Sequence, residues 1–123
     1  MKKKRSILLV KNDPVIAADL LRYVQKWEYE IYAEHDNMLD AILSIQKDPL
    51  KLPDVLLVDL PFVQQEAYFR LIKIFLFLYP VAVIIISGTH TCECGRFEVD
   101  LSKYLLPLPF SEVQLQRTLS KAG

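Results

Sequence analysis

The sequence lacks most of what special architectures are built from. Its only cysteines are Cys92 and Cys94, and a spacing of one residue is too short for an ordinary disulfide framework. Reduced thiols fit a cytoplasmic location. Neither sign of charge is in excess, since 15 Lys and Arg balance 15 Asp and Glu. No field is left to draw in a phosphate backbone, so direct nucleic-acid binding is not expected. The longest predominantly apolar stretch, residues 74–86, contains Pro80 and is well short of the ~20 apolar residues of a membrane span. The basic start, Lys2-Lys3-Lys4-Arg5, leads into only a few apolar residues before Lys11, which is not a signal-peptide pattern. It reads as a solvated tail rather than a localisation or membrane-surface tag. There is no glycine-rich phosphate loop, internal repeat, low-complexity segment or linker.

What is present is apolar and regularly interrupted. Hydrophobic types make up 52% of the 123 residues, enough for one sizeable core but not two, so one domain over 1–123 is expected. Five short runs rich in Val, Ile and Leu, at residues 7–10, 29–33, 55–58, 81–86 and 104–106, read as strands. Runs so short and continuously apolar suit strands covered on both faces, as in a parallel sheet.

Helical spacing lies between the runs. Asp13-Pro14 supplies an N-cap and a first-turn proline for a helix that aligns Ile16, Leu20, Val24 and Trp27. Asn37, with Asp40 three residues on, opens a second helix that aligns Met38, Ile42 and Ile45. A third is expected over about 64–79, stopped by Pro80. The last opens on the capping-box pattern Ser111-Glu112-Val113-Gln114, with an inner edge of either Val113, Gln116 and Leu119 or Leu115 and Leu119. The connection 88–102 offers only a short helix near 96–99. Strand followed by helix, five times over, argues for a doubly wound α/β fold, whose site lies beyond the carboxyl ends of the strands.

Asp59 follows Leu56-Leu57-Val58 and sits at such an end, facing the same crevice as Asn12 and Asp13. With Ile7 to Pro14, Pro53 to Asp59, Val83 to Gly88 and Tyr104 to Phe110 in this order and spacing, the chain resembles the response-regulator receiver domains of two-component signalling over essentially its whole length. The resemblance implies a flavodoxin-like five-stranded parallel sheet of order 2-1-3-4-5. It implies a non-enzymatic phosphorelay domain in which Asp59 accepts a phosphoryl group from a histidine kinase or phosphotransfer protein. Asp13, Asn12, Asp59 and Pro61 would surround Mg²⁺, with Ser87 and Tyr104 as the switch. Output would pass to another domain or a second copy through the fourth and fifth helical faces.

The pattern is incomplete in three places. Asn12 stands where the family carries a carboxylate, which implies weakened Mg²⁺ binding. Where the family has a lysine after the fifth strand, this chain has Pro107 or Leu108, and Lys103, which precedes the strand, is expected to project from its far end. Pro61 and Val63-Gln64-Gln65 alter the loop after Asp59. The alternative reading is therefore a pseudo-receiver, a protein-interaction module that works without phosphorylation.

Other clusters are weaker. His90, Cys92 and Cys94 provide soft ligands for Zn²⁺, but a structural site needs four. Asp54 with Asp59, or Glu34 with Asp36, would be an acid–base pair only if the members met, and the first two lie at opposite ends of one strand. Phe69, Phe75 and Phe77 are read as core, with Phe69 and Phe77 the two to test for exposure.

Overall fold

The computed structural model describes residues 4–61, 65–87, 105–107 and 110–121. Their order is β1 (Ser6–Val10), α1 (Pro14–Lys26), β2 (Glu30–His35), α2 (Met38–Lys47), β3 (Val55–Asp59), α3 (Gln65–Leu78), β4 (Ala82–Ser87), β5 (Leu105–Pro107) and α4 (Glu112–Lys121). The strands form one parallel sheet of order β2-β1-β3-β4-β5, as the resemblance implies.

Alternation along each strand divides the core between the two faces. Leu8, Val10, Leu56, Val58, Val83 and Ile85 pack with α2 and α3 around Met38, Phe69 and Phe75. Ile7, Leu9, Val55, Leu57, Ile84 and Ile86 pack with α1 and α4 around Leu20, Val24, Leu115 and Leu119. Every residue of β3 is buried, and each fully buried Leu, Ile or Val contributes roughly 1.5–3 kcal/mol.

The helices begin where their caps dictate. The Asp13 carboxylate accepts from Val15 N–H, and Pro14 occupies the first turn of α1. The Asn37 side chain accepts from Asp40 N–H at the start of α2. Ser111 and Gln114 exchange the reciprocal bonds of a capping box before α4. After α1, Glu28 takes a left-handed φ of 63° and turns the chain into β2.

Several expectations are corrected. β2 extends to His35, two residues past the apolar run, because its pairing with β1 reaches Val10. β5 is Leu105–Pro107 rather than 104–106. On α4, Val113 and Gln116 are exposed while Leu115 and Leu119 are buried, so the second of the two inner edges forms. Phe69 is buried and Phe77 is exposed. The expected short helix at 96–99 and the residues His90, Cys92 and Cys94 lie outside the described residues.

Candidate functional site

The parallel sheet brings the carboxyl ends of β1, β3 and β4 side by side. Asp59 closes β3 in register with Ile86, and the next residue is fastened to β4 by Leu60 N–H donating to Ile86 C=O at 2.9 Å. β1 ends at Val10, paired with Val58, so the turn that starts α1 passes over Asp59. There the Asp13 main-chain N–H donates to Asp59 Oδ2 at 2.9 Å. The fold thus brings the main chain of residues 12 and 13 against the Asp59 carboxyl.

The side chains are arranged differently from what an ion site requires. Asp13 Oδ1 accepts from Val15 N–H at 2.8 Å, so its carboxylate serves as the α1 cap and its main chain serves Asp59. Asp59 is only 2% exposed and is the one buried charged residue among those described. Burial pushes its carboxyl above the ordinary carboxylate value. The Asp13 N–H pulls it back, the nearby Asp13 carboxylate pushes it up again, and the Asn12 main chain pulls it down. No cation acts on it among the described residues.

Lys11, the basic residue next to Asn12, turns to β2 instead. Its Nζ lies 3.5 Å from Glu34 and 4.0 Å from Asp36, and its N–H donates to His35 C=O at 2.7 Å. Glu34 and Asp36 are therefore partners of one lysine and not an acid–base couple. Asp54 and Asp59 occupy opposite ends of β3: Asp54 Oδ2 accepts from Ser6 N–H at the start of β1, at 2.7 Å.

Mg²⁺ calls for hard oxygen donors in near-octahedral order. Asp59, Asp13, Asn12 and the Pro61 carbonyl have the right chemistry, but one Asp13 oxygen is committed to the cap, one Asp59 oxygen to a main-chain N–H, and Asp59 is sealed. Among the described residues no group of three or more His, Cys, Asp and Glu is placed to hold a metal. The residues do not fit a formed Mg²⁺ site.

The other expected positions are only partly described. Ser87 ends β4, in register with Pro107 at the end of β5. Of the two ways of counting to the family's lysine position, this favours Pro107, a residue with no charge to offer. The side chain of Ser87, Tyr104, Leu108 and the loop 62–64 lie outside the described residues. One neighbour escaped the sequence reading. Tyr68, in the first turns of α3, is half-buried, and burial first, then the Asp59 and Asp36 carboxylates, raises the pKa of its hydroxyl. Nothing in helical periodicity points to it, because its relation to Asp59 arises only when α3 packs over β3.

No protein-family model matches the sequence, and a search of curated proteins finds no match. Solved structures do match. The response-regulator receiver domain of PhyR from Erythrobacter litoralis is 20% identical, with a TM-score of 0.74, over 97% of this chain and 89% of that one. The receiver domain of a modulated diguanylate cyclase from Desulfovibrio desulfuricans is 18% identical, with a TM-score of 0.78, over 98% and 94%. The anti-anti-sigma factor PhyR of Bartonella quintana is 16% identical, with a TM-score of 0.77, over 98% of this chain but 49% of that one. The chain thus spans about half of the longer PhyR protein. The fold is therefore that of the receiver domains, with an aspartate at the mouth of the central strand. The chain departs from the receiver pattern at Asn12 and Pro107, which stand where that pattern carries charge. No helix among the described residues is long and apolar enough to cross a membrane.

Proposed function

We propose that the chain is a non-enzymatic signalling module of receiver fold that works through protein binding, without phosphorylation of Asp59. The observation that carries this reading is the state of Asp59: 2% exposed, held by the Asp13 N–H at 2.9 Å, its carboxyl raised by burial, with no cation beside it among the described residues. Phosphoryl transfer relies on positioning and charge neutralisation. A buried carboxyl with no cation beside it among the described residues offers neither an accessible nucleophile nor a neutralised pocket. In this setting Asp59 ties the turn before α1 to the central strand and fixes the shape of the carboxyl-end surface. The named likeness to an anti-anti-sigma factor is in keeping with a role exercised by binding another protein.

A second reading is favoured by one observation. Asp59 remains at the end of β3 within hydrogen-bond reach of residue 13, where the receiver pattern places its phosphoacceptor. On this reading a histidine kinase or phosphotransfer protein is the donor, and Mg²⁺ is held weakly by Asp13, Asn12, Asp59 and Pro61.

The two readings part under one treatment. The protein and its Asp59→Asn variant are incubated with a small phosphodonor over a range of Mg²⁺ concentrations and weighed intact. The first reading expects identical masses throughout. A phosphate adduct on the parent and not on the variant establishes the second. Pro107→Lys, which adds an ammonium at the end of β5, is expected to lower the Asp59 pKa and make an adduct detectable.

A further inference from the structure

The two ends of the sheet differ in charge. The strands start together, with Ser6 opposite Glu30, Ile7 opposite Val55 and Val55 opposite Ala82, and α2 and α3 end shortly before β3 and β4 begin. Acids gather at the carboxyl end: the α1 cap Asp13, Asp40 in the first turn of α2, and Glu34 and Asp36, which Lys11 answers. Lysines gather at the amino end. Lys47 lies in the last turn of α2 and Lys121 in the last turn of α4. Lys51 precedes β3, and Lys4 and Arg5 lead into β1, with Lys2 and Lys3 ahead of them in the sequence. Lys4, Lys47, Lys51 and Lys121 are exposed, whereas Lys26 at this end is taken up by Glu112 at 2.7 Å. The acids here, Glu28, Glu30, Asp48 and Asp54, are fewer. Helix ends of these signs suit the helix dipoles, and together they make a chain of zero formal charge basic at one end.

The same end carries the two most exposed large apolar side chains among the described residues, Leu50 at 96% and Phe77 at 88%. Leu50 lies between α2 and β3, and Phe77 lies in the last turn of α3 with exposed Leu78 next to it and exposed Ile74 one turn back. α3 is the exception to the charge pattern, since its last turn holds no base. Its outer face changes along its length from the Glu66–Arg70 ion pair to Ile74, Phe77 and Leu78. One exposed leucine calls for no explanation; an aromatic and three aliphatic side chains at one basic end do. Leu50, Phe77 and Leu78 line neither of the depressions beside α2, of about 440 and 340 Å³.

We propose that the amino end of the sheet docks on an anionic lipid surface, with Leu50, Phe77 and Leu78 entering the acyl boundary and Lys4, Lys47, Lys51 and Lys121 meeting the headgroups. A folded partner must offer a cavity shaped to each protruding side chain, whereas a fluid acyl layer receives them without being shaped. Attraction of lysines to anionic headgroups fades within a Debye length, so it acts only where the apolar tips also touch. Peripheral binding takes two such signals. The basic start of the chain supplies only one, which is why the sequence alone reads it as a solvated tail; the fold adds the second at the same end. The acidic carboxyl end turns away from the lipid, which fixes the orientation and leaves the Asp59 face open to protein partners. Docking at this end does not depend on which reading of Asp59 holds.

The test is flotation of the full chain with phosphatidylcholine vesicles and with vesicles containing about one-third phosphatidylserine. The expected result is binding to the anionic vesicles alone, weakened by added salt. Lys47→Ala with Lys51→Ala should weaken it about tenfold or more. Leu50→Ser with Phe77→Ser, at exposed positions where circular dichroism should show the fold retained, should weaken it about tenfold without changing charge. A serine pair that binds like the parent would show that the basic residues act alone and would overturn the proposal. So would absence of binding, or equal binding to neutral vesicles. Retention on a polyglutamate matrix equal to that on vesicles would also overturn it, in favour of an acidic protein.

Discussion

The two ends of β3 carry the same side chain in opposite circumstances. Asp54, just before the strand, accepts Ser6 N–H at 2.7 Å in an exposed position. Asp59, the last residue of the strand, accepts Asp13 N–H at 2.9 Å while 2% exposed. Each carboxylate accepts a main-chain N–H at an end of β1, so that kind of bond does not distinguish them. What differs is the water. At the amino end the carboxylate is open to solvent. At the carboxyl end the group is buried, and its charged form loses solvation that the main-chain N–H donors of residues 12 and 13 do not fully replace.

The comparison can be broken most forcefully next to Asp59. Leu60 is 5% exposed and packs in the cluster of Val58, Met38 and Phe69, so Leu60→Ala should cost about 2–4 kcal/mol in chemical denaturation; a loss below about 1 kcal/mol would show that this end of β3 is not held by its apolar packing.

A smaller effect of opposite sign is expected of Asp59→Asn, which keeps an acceptor for the Asp13 N–H and removes the buried charge. Stability at neutral pH should rise. The folded carboxyl titrates above the unfolded one, so between the two values the native chain holds more protons. The contribution of Asp59 is fully present below the unfolded value and is lost as pH rises through the folded value. Denaturation across the acidic range should show this decline in the parent and not in the variant.

Asp13→Ala removes the α1 cap and should cost about 1 kcal/mol, whereas Asp13→Asn should be nearly neutral. Equal losses would mean that the carboxylate charge, rather than capping, is what position 13 supplies. The smallest change is expected at the open end. Asp54→Asn leaves an acceptor for Ser6 N–H in water and should cost about 0.5 kcal/mol, with no gain at neutral pH of the kind predicted for position 59.

The fold was legible where its causes are local. The runs within β1 and β3 are buried on both faces and read as such, and Asp13-Pro14 and Asn37 with Asp40 mark helix starts because a cap acts over three residues. The phase of α4 was left open, since Val113 and Leu115 are equally apolar in sequence and only the sheet decides which turns inward. At the site, the meeting of Asp59 with residue 13 followed from strand order. The direction of the Asp13 carboxylate did not, because capping Val15 and facing a metal are two rotamers of one residue. Lys11 beside Glu34 and Asp36, and Tyr68 near Asp59, depend on packing between distant segments, for which periodicity carries no signal.

The most direct measurement is the carboxyl titration of Asp59 by carbon-detected NMR. The account predicts that Asp59 titrates above the ordinary aspartate value, with no displacement on adding Mg²⁺ at millimolar concentration. A carboxyl that titrates at or below the ordinary value, or is pulled down by Mg²⁺, would contradict it and return Asp59 to the role of a reactive, metal-assisted phosphoacceptor.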